Sequence, residues 1–201
     1  MPLIMCVARW RALLVLALVG AVSCRGQARD ATSNLDPRYR VLTKDLLAQE
    51  PDSTLEWAVM QHVGWVVGGN YEREHEIVTA LSPGFQTIYA TWWLDAEVNN
   101  GGFNQYFFNS TGQFAKEALA GLTRLGAAEH AALTRQAIAV YEHRQPVIDS
   151  ARQQGTTQAF SKTYEDDPFE PLDQQFFLLR TNVGALRVRF IRDHLGEFVH
   201  P

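Results

Sequence analysis

An all-α fold follows from three observations. Apolar residues recur at helical spacing from Val41 to Phe198, helix start and stop residues punctuate that spacing, and period-two alternation bounded by turn residues appears nowhere. The architecture expected is a compact multi-helix bundle with one sharp helix–helix elbow at Asn99-Asn100-Gly101-Gly102. No segment repeats at a fixed period, which argues against a solenoid.

Val41, Leu42, Leu46 and Leu47 predict a short first helix that stops before Pro51. Ser53-Thr54-Leu55-Glu56 has the spacing of a capping box and opens a helix through about Val67. Leu55, Val59, Val63 and Val66 or Val67 share a face of it, and Gly68-Gly69-Asn70 ends it. Tyr71 to Leu81 reads as a further amphipathic helix with a glutamate-rich outer face. Ser82 followed by Pro83 combines an N-cap with proline at the first helical position. That helix runs through Phe85, Ile88, Tyr89, Trp92, Trp93 and Ala96 to Asn99. Beyond the Asn–Gly turn, Phe103 to Phe108 forms a short helix closed by Ser110-Thr111-Gly112. Phe114, Ala118, Leu122 and Leu125 mark the next, with Gly126 as its stop. Leu133, Ala137 and Val140 or Tyr141 mark another that ends before Pro146, Val147 to Gln154 extends the bundle, and Gly155 to Thr163 is a loop. Leu172, Phe176, Phe177 and Leu179 predict a helix, and Leu186, Phe190, Ile191, Leu195 and Phe198 a final one.

The N-terminus reads as an address. Arg9 and Arg11 precede an apolar, small-residue run from Ala12 to Val22, shorter than the roughly 20 residues a spanning helix needs. The run ends in Ala21-Val22-Ser23-Cys24, which resembles a bacterial lipobox with Cys24 as the lipidated residue; a plain secretory peptide cut nearby is the alternative. The expected organisation is a signal peptide over 1–23, a polar tether over 24–37 and a helical domain over 38–201, exported and held at the cell envelope through the lipid alone. Processing at Cys24 leaves 178 residues with 16 Lys+Arg against 22 Asp+Glu, a net charge of −6. That balance argues against direct nucleic-acid binding, which calls for a basic patch, and fits a basic protein partner. With Cys6 removed and Cys24 lipidated, no cysteine remains for a disulfide, a thiolate nucleophile or a metal.

The densest chemistry lies between Glu97 and Asn109. Two glycines after two asparagines permit positive φ over up to four positions, so the long helix can end and turn back against the Phe103 helix. Glu97 then sits at a helix C-terminus, where the macrodipole disfavours a carboxylate. Its expected partners are the free N–H groups that open the next helix, while Gln105 and Asn109 pair with freed backbone and Trp92, Trp93, Phe103, Tyr106 and Phe107 seal the bend.

The stretch Glu97-Val98-Asn99-Asn100-Gly101-Gly102-Phe103-Asn104-Gln105-Tyr106-Phe107-Phe108-Asn109 closely resembles the signature of the DNA-mimic-protein C-terminal domain family, long catalogued as a domain of unknown function. Tyr89-Ala90-Thr91-Trp92-Trp93-Leu94 is similar to its aromatic lead-in and Phe108-Asn109-Ser110-Thr111-Gly112 to its exit. Ala118 to Gly126, Leu172-Asp173-Gln174-Gln175-Phe176 and Phe190-Ile191-Arg192-Asp193-His194 resemble its later helices, so the likeness covers about residues 80 to 200. The resemblance implies an all-helical domain and, for the namesake member, an acidic dimer that imitates DNA and occupies a DNA-binding protein.

Other chemistry is thinner. Glu165, Asp166, Asp167, Glu170 and Asp173 form an acidic run with no base among them, expected as a solvated loop stiffened by Pro168 and Pro171. Its spacing is not that of a calcium loop. Glu74-His75-Glu76 lacks a second histidine at the zincin spacing, since position 79 is Thr79, and His130, His143, His194 and His200 form no ligand set, so no metal or other cofactor is expected. Arg180, Arg187, Arg189 and Arg192 make a positive stripe expected to pair with the acidic run, within the chain or across a homodimer. The reading that follows is a non-catalytic binding module for an unidentified protein partner. Its alternatives are a small-molecule-binding or hydrolytic pocket at Glu97, Asn99, Asn100 and Gln105, and a DNA-mimic inhibitor.

Overall fold

A computed structural model describes residues 32–199, so the predicted signal peptide, Cys24 and most of the tether lie outside the described residues. Among these the chain forms α1 (Lys44–Gln49), α2 (Asp52–Val67), α3 (Glu74–Thr79), α4 (Pro83–Phe108), α5 (Ala115–Leu125), α6 (Ala128–Gln154), α7 (Thr157–Lys162), α8 (Glu170–Leu178) and α9 (Val183–Asp193), with 3-10 turns between some of them and no strand. The all-α expectation holds. The docked part of the chain begins at Leu35, whose side chain packs on Gly64, and at Asp36, whose N–H donates to Gln61 at 2.8 Å.

α4 is the central rod, meeting α2, α5, α6, α8 and α9. Leu55, Val59 and Val63 of α2, Ile88, Leu94 and Val98 of α4, Phe114 before α5, Phe169 before α8 and Ile191 of α9 are buried together in one core. α5 crosses α4 closely because Gly121 lies on Thr87 and Thr91, where a Cβ would come within 3.2 Å of the Thr87 backbone.

Five local expectations change, the first two because a tertiary partner outcompetes a local one. The capping box does not form: α2 starts from Pro51, Thr54 donates to Glu50 at 2.7 Å, and Glu56 is taken by Arg187 at 2.8 Å. The helix expected over Tyr71–Leu81 divides into a 3-10 turn and α3, and its outer face is not wholly glutamate, since Glu74 is buried and accepts from the Tyr89 hydroxyl. α6 continues through Pro146, an exposed position where water can satisfy the carbonyl that loses its donor. The loop expected over Gly155–Thr163 contains α7, started by Thr156, which accepts from the Ala159 N–H at 3.1 Å. The last helix ends at Asp193, and Leu195 to Phe198 follow as a separate 3-10 turn.

Arginines tie the C-terminal elements to the rest. Arg187 of α9 is 3% exposed and bridges Glu56 of α2 at 2.8 Å, Asp95 of α4 at 3.1 Å and the Thr91 carbonyl at 3.2 Å. Arg192 reaches Asp52 at 2.6 Å and the carbonyls of Leu47 and Glu50. For two members of the stripe the expected pairing with the acidic run is corrected: Arg187 and Arg192 pair with acids of α2 and α4, while Arg180 and Arg189 are exposed.

Candidate functional site

α4 is one rod only in hydrogen-bond pattern. It breaks at Gly101 (φ −152°, ψ 26°) and Gly102 (φ 74°, ψ −179°), leaving a long arm over 83–100 and a short arm over 103–108. Positive φ is needed at Gly102 alone; Asn99 and Asn100 stay helical. The bend is sharp, because Glu97 Oε2 accepts from Asn109 Nδ2 at 2.8 Å across 12 residues. A straight helix would hold those residues about 18 Å apart, beyond the combined reach of the two side chains. The same oxygen accepts from Gln105 Nε2 at 2.6 Å. The carboxylate predicted to cap backbone thus binds two side-chain amides instead, and the amides predicted to pair with backbone bind it.

The cap on the short arm comes from elsewhere. The Phe103 N–H donates to Asp173 Oδ1 at 2.8 Å, placing a carboxylate at that arm's N-terminus. At the other end Arg152 donates to the Phe107 and Phe108 carbonyls at 2.7 and 3.0 Å. Acid at the start and base at the end complement the arm's dipole. Its rings are enclosed: Phe103 meets Phe176 at 5.6 Å, Phe107 stacks on Tyr141 at 4.3 Å, and Phe108 lies 4.6 Å from Phe160. Trp92 and Trp93, expected to help seal the bend, pack upstream with Trp57 and Tyr89. Tyr106 is wholly buried, and burial, followed by the Glu117 and Glu97 charges, pushes its hydroxyl far above the usual range.

The acidic run joins the elbow, which spacing in the sequence did not disclose. The Tyr164 hydroxyl donates to the Gly101 carbonyl at 2.9 Å. Burial raises its pKa first, with the Asp167, Asp173 and Glu97 charges adding to that. Asn104 donates to Thr163 at 2.8 Å, and Asp167 accepts from the Phe169 N–H at 2.9 Å. Burial, opposed by the Phe103 N–H and reinforced by Asp167 and Glu170, lifts the Asp173 carboxyl to about 6. Glu165, Asp166 and Glu170 are exposed. No ion pair among the described residues includes any of the five acids. The uniform solvated loop expected here is corrected: Asp167 and Asp173 are half-buried supports, and Glu165, Asp166 and Glu170 form the exposed face, where Arg144 donates to the Glu165 carbonyl at 3.3 Å and Gln174 to Glu170 Oε1 at 3.4 Å.

The predicted residues therefore divide. Glu97, Gly101, Gly102, Phe103, Gln105, Tyr106 and Asn109 meet at the elbow. Asn99 is exposed and donates back to Asp95 Oδ1 at 2.8 Å, and Asn100 is exposed. A Cβ on Gly101 would collide with Gln105, and one on Gly102 with Asp173, so the bend is packed shut. Two surface clefts, of about 360 Å³ between α6 and α7 and about 270 Å³ between α4 and α5, contain no residue from Asn99 to Gly102. Among the described residues no group of three or more histidines and carboxylates is placed to hold a metal ion. Sequence reasoning missed Tyr164 and Arg152 as elbow residues, and their positions far along the chain carried no local signal.

Fold and site together define an all-helical domain with a closed, doubly capped elbow beside a free acidic face. Residues 79–194 match the family model described as DMP19-like protein, and the chain belongs to that family. No curated protein and no solved structure matches it.

Proposed function

We propose that this protein is a non-catalytic binding module whose working surface is the acidic face beside the elbow, and that its partner is a cationic protein. One contrast carries the reading. Glu56, Asp95, Asp52 and Glu197 are held by arginines, whereas Glu165, Asp166 and Glu170 are gathered within six residues, exposed and in no ion pair among the described residues; exposed acids elsewhere, such as Asp45 and Asp193, stand singly. Like charges gathered on one side raise the local potential and favour encounter with a positive partner. The elbow supports this as scaffold, since Glu97 is occupied by two amides and the glycines leave no opening.

The second part of the proposal is place. The lipobox-like Ala21-Val22-Ser23-Cys24 supports export and anchoring at the cell envelope. Family membership favours one other reading, in which the acidic face imitates DNA before a DNA-binding protein. Palmitate labelling with a Cys24→Ser control, together with fractionation, separates the two. Label on Cys24 and an envelope location support the first, and an unlabelled cytosolic protein supports the second. In-cell cross-linking tests the surface itself. Adducts with basic proteins are expected for the natural chain and lost in E165Q/D166N/E170Q; adducts unchanged by that variant contradict the acidic face.

A further inference from the structure

The outer face of α8 continues the acidic surface into an apolar one. Leu172 and Phe176 point into the core, while Glu170, Gln174, Phe177 and Leu178 follow at one-turn spacing on the exposed side. Phe177 is 53% exposed and Leu178 is 71% exposed. A single exposed apolar side chain means little. Two in succession, at the end of a helix whose start carries the exposed carboxylate of Glu170, make a graded surface. A second acid flanks it: the first turn of α6 abuts α8 through the His130–Phe176 ring contact at 5.0 Å and carries exposed Glu129.

We infer that this face docks a cationic amphipathic helix of a partner protein, with apolar side chains seated on Phe177 and Leu178 and lysines or arginines about two turns away on Glu170 and, beyond the start of α8, on Glu165 and Asp166. The inference rests on the acidic-face reading and adds an apolar anchor to it. Glu170 and Glu129 flank the apolar step while exposed Arg180 follows it, and this excess of acid over base favours a cationic occupant. A mainly anionic partner is disfavoured, and a second copy of the chain, which carries both Glu170 and Arg180 on this face, is the competing occupant that sedimentation tests. Exposed ion pairs contribute little each and are screened within about 8 Å at physiological salt, so charge alone gives weak, salt-labile contact. Burial of Phe177 and Leu178 supplies the part that salt does not remove. A surface that only imitated a polyanion would not need that step.

Two labelled probes test this by fluorescence anisotropy: a synthetic helical peptide bearing leucine and lysine at i, i+4 spacing, and an oligolysine of equal charge. The natural protein is expected to bind the amphipathic peptide roughly tenfold tighter than oligolysine, and F177S/L178S to lose that advantage while keeping its oligolysine affinity. E165Q/D166N/E170Q is expected to weaken both. Circular dichroism melts check that both variants fold. Equal affinity of the natural protein for the two probes, or peptide binding untouched by F177S/L178S, overturns the inference and leaves the acidic-face reading standing. Binding untouched by the acid variant, or no binding of either probe, overturns both. Sedimentation closes the last route: a dimer that F177S/L178S dissociates makes a second copy the occupant and overturns the inference.

Discussion

The α9 side and the α8 side of this domain use the same chemical group in opposite ways. On the α9 side Glu56, Asp95 and Asp52 are gripped by Arg187 and Arg192, and Glu197 by Arg124. On the α8 side Glu165, Asp166 and Glu170 stand in solvent, and Asp167 and Asp173 accept backbone N–H groups. A formal net charge of −4 hides this segregation. Charge balance within one region holds helices together, and imbalance in the other leaves a surface with something to bind.

Disrupting the elbow should have the largest effect. Gly102→Ala places a Cβ at φ 74° against Asp173. A loss of about 3 kcal/mol is expected, a fall in Tm of about 10 °C read by circular dichroism. Arg187→Met leaves Glu56 and Asp95 without their cation and should cost about 2 kcal/mol in urea denaturation, less than a fully buried broken pair because both acids keep some solvent. Glu97→Gln weakens two charge-assisted bonds and should cost about 1 kcal/mol. If it leaves stability unchanged while abolishing a measurable turnover, the scaffold account of the elbow fails.

Asp173 ties the stability of the elbow to pH. Its carboxyl is raised from 3.8 to about 6, so the folded state holds its proton longer than the unfolded chain does. The stability linked to that proton is fully present below pH 3.8 and lost as pH rises through about 6. The asparagine variant keeps an oxygen for the Phe103 N–H and does not titrate. Between pH 4 and 7.5 the stability of Asp173→Asn relative to the natural protein should therefore rise, by about 1 kcal/mol once solvent screening of this part-exposed group is allowed for. Urea denaturation across that range reads it; a relative fall with pH would contradict the placement of Asp173. The smallest effect is expected from E165Q/D166N/E170Q, under about 0.5 kcal/mol in stability.

Much of the fold was legible because helical periodicity and its punctuation are local. Ser82-Pro83, Gly68 and Gly126 mark boundaries that the structure keeps. The elbow was legible as a bend at Gly101–Gly102 but not in its wiring. Asp173 caps Phe103 from 70 residues away, and Tyr164 reaches Gly101 from 63. Nothing in the spacing of Glu97 could say that a distant aspartate would take the backbone N–H and leave Glu97 for the amides of Gln105 and Asn109. The capping box at Ser53 failed for the same reason, since its glutamate was claimed by Arg187 on α9. Local signals name elements well, and they misassign polar side chains wherever a remote partner binds more strongly.

The most direct measurement of the account compares folding and binding in one variant, E165Q/D166N/E170Q. The account predicts a Tm within about 2 °C of the natural protein and a loss of about tenfold or more in affinity for the cationic amphipathic peptide. A large drop in Tm with peptide affinity unchanged would show that these carboxylates serve the fold and not a partner.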